Sequence, residues 1–404
     1  MDTDRSSLGM VEHMVRLLGL PLMLHSYPSE TQTNRQFASL DLSRLDTFFL
    51  PDSLRDLVDA PPRESTEFIE DDNRGAILPH PISTLDGQAF YLSVKGIGST
   101  VDPFSWRVLD RIYASELVED GHLRSRLRSA PTGGSDRLIT GELWLRGSPY
   151  GGQGLEHAAT ALAISERADL TSINGFRIAP VVKIAFLPPS LQEEVRQIHW
   201  YRKYRGRMVQ ELRLVPSNVR VYFHAKNTIG NTIGQVFDLF SIDTGWKAHR
   251  FVTNFLRSGV AMLTLFSRSL RFDTGRGRYS GLDFQDVWLD KDAVVAPDGT
   301  VFFVDLEGIE EVSVEAAGIR EKVEDQVYRS LYELMFAYEQ IDHERQRRFG
   351  GEGSRKRRFE AALEEALSGD PFVRLERRDR RLEMVIRNEC EGGPVYVRFT
   401  LVDE

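Results

Sequence analysis

The run from Asp292 to Asp305, DAVVAPDGTVFFVD, constrains the fold more than any other part of the chain. Two short apolar stretches flank Pro297-Asp298-Gly299, a tripeptide whose fixed φ, side-chain acceptor and glycine freedom preset a turn. Such a run folds as a tight hairpin, and its strands need a core against at least one face. Each strand carries a carboxylate at its outer end: Asp292 where the first begins, Asp305 where the second stops. Acids at strand ends are common on hairpin surfaces. Two of them on one hairpin are also the oxygen donors that a hard divalent cation takes.

The spacing resembles the metal-binding run of protein-kinase-like enzymes, which match it without a gap. In those enzymes a loop Asn or Asp precedes the first strand and a second Asp follows the next one. The resemblance implies that Asp292 and Asp305 hold Mg²⁺, or Mn²⁺, on the phosphates of ATP. Continuing back in the same register, the loop reads Gln285-Asp286-Val287-Trp288-Leu289-Asp290-Lys291-Asp292. The position of the usual catalytic Asp is Val287, which takes no proton. That departure resembles the selenoprotein O family of pseudokinase-like adenylyltransferases, whose members also lack this base, keep their metal ligands and transfer AMP. Asp290 and Asp286 are then the nearby carboxylates left to act as a base.

The same family anchors its nucleotide with a lysine in a strand ending Lys-Gly-x-Gly-x-Thr. Lys95-Gly96-Ile97-Gly98-Ser99-Thr100 is similar, and it follows the strand-like AFYLSV. A lysine at a strand end supplies a point charge, and Gly96 and Gly98 let backbone N–H groups approach anionic oxygen. Glu156, near the start of the helical run GLEHAATALAISERA, is the carboxylate expected to orient Lys95. Arg177, in GFRIAPV, and Arg146, in LWLRG, are further candidate phosphate contacts. A rival assignment uses Lys183 in VVKI with Glu193 or Glu194 behind it, and puts RGSPYGGQG in the phosphate loop. The rival's loop should lead into a second strand, whereas 155–168 read as helix, so Lys95 with Glu156 is the preferred assignment and Lys183 the alternative.

Hydrophobic periodicity supplies the rest. RIAPVVKIAFL reads as a buried strand, and RFVTNFLRSGVAMLTLFSRSL as a helix apolar almost all round. Val327, Leu331, Leu334, Met335, Tyr338 and Ile341 mark a long amphipathic helix. RLITGELWLRG (137–147) reads as a strand. RFDTGRGRYSG reads as a Gly- and Arg-rich loop in which Arg276 and Arg278 are free to clamp phosphate or to sit in solvent. RLEMVIRNECEGGPVYVRFTLVDE reads as a hairpin turning at Gly392-Gly393. Residues 1–80 read as a first helix, Met10 to Leu18, followed by loop, with PPRESTEFIEDDNRG polar and exposed.

The expected fold is therefore α+β and two-lobed, protein-kinase-like. A strand-rich N-lobe over 85–190 carries an insertion, and a helical C-lobe covers 191–370. An N-terminal extension takes 1–84 and a C-terminal β-hairpin region 371–404. The resemblance covers about residues 85–345 and implies an ATP-dependent nucleotidyltransferase. The alternative is an inactive pseudokinase acting as a nucleotide-binding or protein-interaction module. A chain that is 41% hydrophobic and 27% charged is an ordinary globular one rather than a disordered or fibrous one.

The formal net charge of −9 gives no general attraction to nucleic acid, and no nucleic-acid partner is expected. HWYRKYRGR (199–207) interleaves aromatic and basic residues, a composition that also suits an amphipathic helix end. The expected partners are a nucleotide and a protein or small-molecule acceptor. One cysteine, Cys390, excludes an intramolecular disulfide and fits a reducing compartment. LLGLPLML is too short and too broken to span a membrane, so a cytoplasmic, soluble protein is expected.

Overall fold

The computed structural model describes residues 21–38, 40, 45–51, 60–70, 75–85, 87–97, 153–189, 207–220, 233–284, 292–351, 353–378 and 381–402. It is an α+β protein with one large antiparallel sheet, several smaller ones and a set of helices. The chain divides into two compact units. Met1–Glu166, Pro180–Asn218 and Lys226–Ile229 form the first; Arg167–Ala179, Val219–Ala225 and Gly230–Glu404 form the second.

In the first unit the strands are β1 (Pro21–Pro28), β2 (Thr31–Thr33), β3 (Thr47–Pro51), β4 (Glu64–Glu70), β5 (Gly75–Leu85), β6 (Gln88–Lys95) and the short β7 (Gln153–Gly154). Helix α1 (Leu155–Arg167) follows. The ladder of β8 (Ser172–Ile173) and β9 (Phe176–Arg177) belongs to the second unit, after which β10 (Val181–Phe186) and β11 (Met208–Val215) return to the first. The sheet order is β2-β10-β11-β6-β5-β4-β1-β3, with β7 also on β11. The latest strands in sequence are thus inserted beside β6 and β2.

Two expectations for the N-terminal part are corrected. The stretch read as loop is strand, and ESTEFIE is not merely exposed, because Phe68 and Ile69 are core residues. The prolines misled the reading. Pro21, Pro28 and Pro51 stand at the first or last positions of their strands, where a missing N–H is tolerated. The run RIAPVVKIAFL contains a buried strand, β10, as expected, while β11 was not foreseen. β10 and β11 are buried along their whole length, as strands covered on both faces are.

The second unit is built around α3 (Gly245–Leu263), preceded by α2 (Ile233–Leu239) and followed by the short α4 (Leu265–Ser269). Thr244 caps α3 by accepting a hydrogen bond from the Lys247 N–H. The segment expected to be a Gly- and Arg-rich loop is instead a hairpin of β12 (Arg271–Asp273) and β13 (Arg278–Phe284). The glycines and arginines supply its turn. After the hairpin of β14 (Ala293–Val295) and β15 (Val301–Phe303), β16 (Ile309–Val314) pairs with β13. Helix α5 (Ile319–Phe349) and α6 (Arg355–Ala366) pack on α3, and β17 (Val373–Arg378), β18 (Arg381–Cys390) and β19 (Gly393–Val402) form a meander.

Buried ion pairs hold the helices. Asp342 on α5 accepts hydrogen bonds from Arg345 and Arg358, tying α6 to α5. Arg268 on α4 donates to Asp370 at 2.7 Å and to the Asn174 carbonyl at 3.0 Å, and stacks over Phe372. Among the described residues no helix is long and apolar enough to cross a membrane.

Candidate functional site

The hairpin β14–β15 forms as its sequence dictates. The Gly299 N–H donates to the Ala296 carbonyl at 2.9 Å, and Asp298 Oδ1 accepts from the Thr300 N–H at 3.0 Å. Gly299 has φ +94°, and a Cβ there would lie 2.1 Å from the Phe251 carbonyl oxygen. Only glycine allows that turn to press on the backbone of α3. Two side chains of α3 complete the seat. Asn254 Nδ2 donates to the Asp298 carbonyl at 3.0 Å, and Ser258 Oγ accepts from the Val301 N–H at 2.8 Å.

The flanks of the hairpin are fixed too. The Val295 N–H donates to the Val219 carbonyl, and the Ala179 N–H to the Phe303 carbonyl, both at 2.8 Å. Phe176, Phe284 and Phe303 pack beneath, with ring centroids 4.8 to 5.9 Å apart.

Both acids stand at the open end of this hairpin. The Val304 N–H donates to the Asp292 carbonyl at 2.8 Å, so the ladder continues one step past Ala293 and Phe303. Asp292 is 4% exposed and Asp305 is half-buried. The strand ends at Asp305, whose φ −97° and ψ 58° are not extended. A 3₁₀ turn, Leu306–Gly308, starts immediately after it. That break matters, because regular pleating would send the side chains of adjacent register positions to opposite faces.

Two carboxylates suit Mg²⁺, which is bound through one or two protein carboxylates together with water and phosphate oxygens. Among the described residues no group of three or more His, Cys, Asp or Glu is placed to hold a metal ion by itself.

In the first unit the two candidate lysines separate. Lys95 is the register partner of Glu211 on β11, and Lys183 on β10 is the partner of Leu212. Glu211 and Leu212 are consecutive, and directly opposed residues share a face, so Lys95 and Lys183 lie on opposite faces of the sheet. Lys183 is buried and its Nζ donates to Asp46 Oδ1 at 2.5 Å, a hydrogen bond that holds the Asp46 carboxyl below its usual range.

Lys95 lies in a row with Glu211, while Arg213 of β11 faces Ser93 on the same side. The Glu211 side chain is 0% exposed and ion-paired with Arg213, itself 5% exposed. Gly75 lies across from Lys95 on β5 and adds no side chain. This face therefore carries two cations and a buried carboxylate in neighbouring register positions. Gln210, on the opposite face of β11, donates to the Gly96 carbonyl at 3.2 Å and to the Phe49 carbonyl at 2.7 Å. It thereby fixes the backbone just past Lys95.

Glu211, Arg213 and Gln210 went unread in the sequence. The signal was the run MVQELRLV, whose polar residues interrupt an otherwise apolar strand.

The remaining candidates fall as follows. Glu156 is exposed on the first turn of α1 and makes no ion pair among the described residues, and the register neighbour of Lys95 is Glu211. Arg177 is half-buried in the second unit, and its Nη1 donates to Thr171 Oγ1 at 3.1 Å. Arg276 and Arg278 are exposed on the β12–β13 hairpin. Gly98, Arg146, Asp286, Val287 and Asp290 lie outside the described residues, as do the expected helix at 10–18 and strand at 137–147. Compared with known proteins, the chain matches no family model, no curated protein and no solved structure.

Proposed function

We propose that the chain is an atypical kinase-like enzyme that binds ATP with Mg²⁺ or Mn²⁺ and transfers AMP to a protein or small-molecule acceptor. The acceptor oxygen bonds to the α-phosphorus, the bond to the bridging oxygen breaks, and pyrophosphate leaves. A carboxylate acceptor gives an acyl-adenylate by the same exchange. The observation that carries the reading is the hairpin with Asp292 and Asp305 at its open end, its turn wedged against α3 through Gly299.

The divalent cation, held by Asp292 and Asp305, supplies charge neutralisation to the phosphates. Lys95, at the end of β6, is the cation that meets the phosphates on this reading. The antiparallel sheet with one helix, and the second unit with its helices and acid-ended hairpin, are the two lobes of this reading. Asp286 or Asp290 takes the acceptor's proton, since Val287 cannot. The protein acts in the cytoplasm on this reading.

Val287 also favours a second reading, a pseudokinase that binds a nucleotide or partner and transfers nothing. Melting temperature measured with ATP, with and without Mg²⁺ or Mn²⁺, tests the first. A metal-dependent rise that Asp305→Ala abolishes is expected; no such rise, or one unchanged in Asp305→Ala, sinks it. Incubation with α-labelled and γ-labelled ATP then separates the classes. Label from the α position on an acceptor marks AMP transfer, from the γ position phosphoryl transfer, and from neither the pseudokinase.

A further inference from the structure

The meander β17–β18–β19 has one long edge. β19 runs beside β18 for 10 residues, and no strand lies on its outer side among the described residues. The ladder fixes which backbone groups that edge presents. Arg387 of β18 donates its N–H to the Phe372 carbonyl at 2.7 Å, on the β17 side. Its register partner on β19 is Tyr396, so these two form a non-hydrogen-bonded pair, each turning its N–H and C=O away from the other. Tyr396 therefore offers both groups to the outer side, and Arg398, two residues on, does the same. Pro394 falls in the same alternation, where its missing N–H costs the ladder nothing.

Natural sheets commonly guard such an edge with charge. Between Gly393 and Val402 the only charged residue is Arg398. Its Nη1 donates to Glu376 of β17 and to Glu383 of β18, at 2.6 Å each, so the guanidinium is drawn back over the sheet and neutralised away from the edge. What remains is a run of β-branched and aromatic residues with open hydrogen-bonding groups.

We propose that β19 pairs antiparallel with β19 of a second copy of this chain, joining two meanders into one continuous sheet. An antiparallel strand is its own complement under a two-fold axis. An axis normal to the sheet preserves its faces, so each residue opposes one of its own parity. A register centred on Arg398 sets the two arginines against each other, which is unfavourable. One centred on Tyr396 sets Arg398 against Pro394. The register centred on Val397 sets Tyr396, 56% exposed, against the partner's Arg398, and the converse pair forms with it. Each pair opposes an aromatic ring to a cation and exchanges two backbone hydrogen bonds.

Sedimentation of the full chain should show a dimer. Tyr396→Arg opposes like charges twice and should weaken it about tenfold or more, whereas Tyr396→Glu, equally polar but of opposite sign, should keep it within about threefold. Cross-linking reads the register. Val397 opposes its own copy in a non-hydrogen-bonded pair, with Cα atoms about 4.5 Å apart and within disulfide reach. In a Cys390→Ser background, Val397→Cys should form an intermolecular disulfide on mild oxidation. Val395→Cys should not, since its own copy lies about 13 Å further along the strand. The cysteine pair decides the matter if Tyr396→Arg fails to fold. A monomeric wild type overturns the inference, whether its Tyr396 and Arg398 amides resist hydrogen exchange, marking an edge covered from within the chain, or exchange freely. A dimer that the two Tyr396 variants affect alike, or that cross-links at Val395 and not at Val397, overturns it too.

Discussion

Lys183 and Lys95 stand on the two strands that border β11, one register step apart and on opposite faces of the sheet. Both end up beside a carboxylate, but the surroundings differ. Lys183 is 5% exposed and is bound to Asp46, whose side chain is 49% exposed. Lys95 is half-buried, in a row where Glu211 is already joined to Arg213. In the first case the cation is buried and the anion reaches water, a pair that closes the sheet on itself. In the second the anion is buried, is ion-paired with Arg213, and has Lys95 as its register neighbour on β6. The sequence favoured Lys95 only through its glycine-flanked context, because a Lys in an apolar strand looks alike on either face.

The contrast breaks most visibly at Glu211. Glu211→Leu strands Arg213 in the sheet without its partner and should cost about 3–5 kcal/mol, read from denaturant midpoints. The double change Glu211→Leu with Arg213→Leu should restore most of that loss. If the single change is mild, the row is solvated and the contrast with Lys183 fails.

Asp46→Ala is the matching cut on the other face. It removes the Asp46 partner of the buried Lys183, at a cost of about 2 kcal/mol, less than at Glu211 because the pair already touches water. A cost equal to that of Glu211→Leu would erase the distinction.

Acid sharpens it further. The Asp46 carboxyl is held low by the Lys183 hydrogen bond, so its contribution is complete above the ordinary carboxylate range and is lost as pH falls through its lowered folded value. Glu344 behaves likewise in the second unit, held at about 2 by hydrogen bonds from Arg347 and Arg348. The melting-temperature gap between wild type and Asp46→Asn should therefore be constant near neutrality and close on acidification below about pH 4. A gap that widens in acid contradicts the pairing.

The smallest effect on stability belongs to Lys95→Met, about 0.5 kcal/mol or less. Its expected signature is functional: loss of the Mg-ATP-dependent rise in melting temperature, which Lys183→Met should retain.

What the sequence made legible follows from how local each signal is. The helix α5 and the hairpins at Pro297-Asp298-Gly299 and Gly392-Gly393 are written in periodicity and turn chemistry within a few residues, and they formed as read. β1 and β4 were missed because terminal prolines and a polar run masked short stretches of core. The Glu211–Lys95 row was beyond reach for another reason. It exists only once β11 is laid beside β6, a pairing between distant segments that no local pattern specifies. Glu156 looked like the natural partner of Lys95 because helices supply that carboxylate in kinase-like folds. Here the acid in register with Lys95 lies on a neighbouring strand.

The order of the large sheet also has a consequence for synthesis. When Lys95 has been made, β6 has its partner β5 but not β11, which begins at Met208. Ribosomes add about 5–20 residues per second, so this strand edge waits on the order of ten seconds for its permanent neighbour. An open edge of that kind is a template for pairing with other chains. The nascent protein is thus most exposed to aggregation while residues 96–207 are being made, and chaperone demand should peak there rather than at chain release.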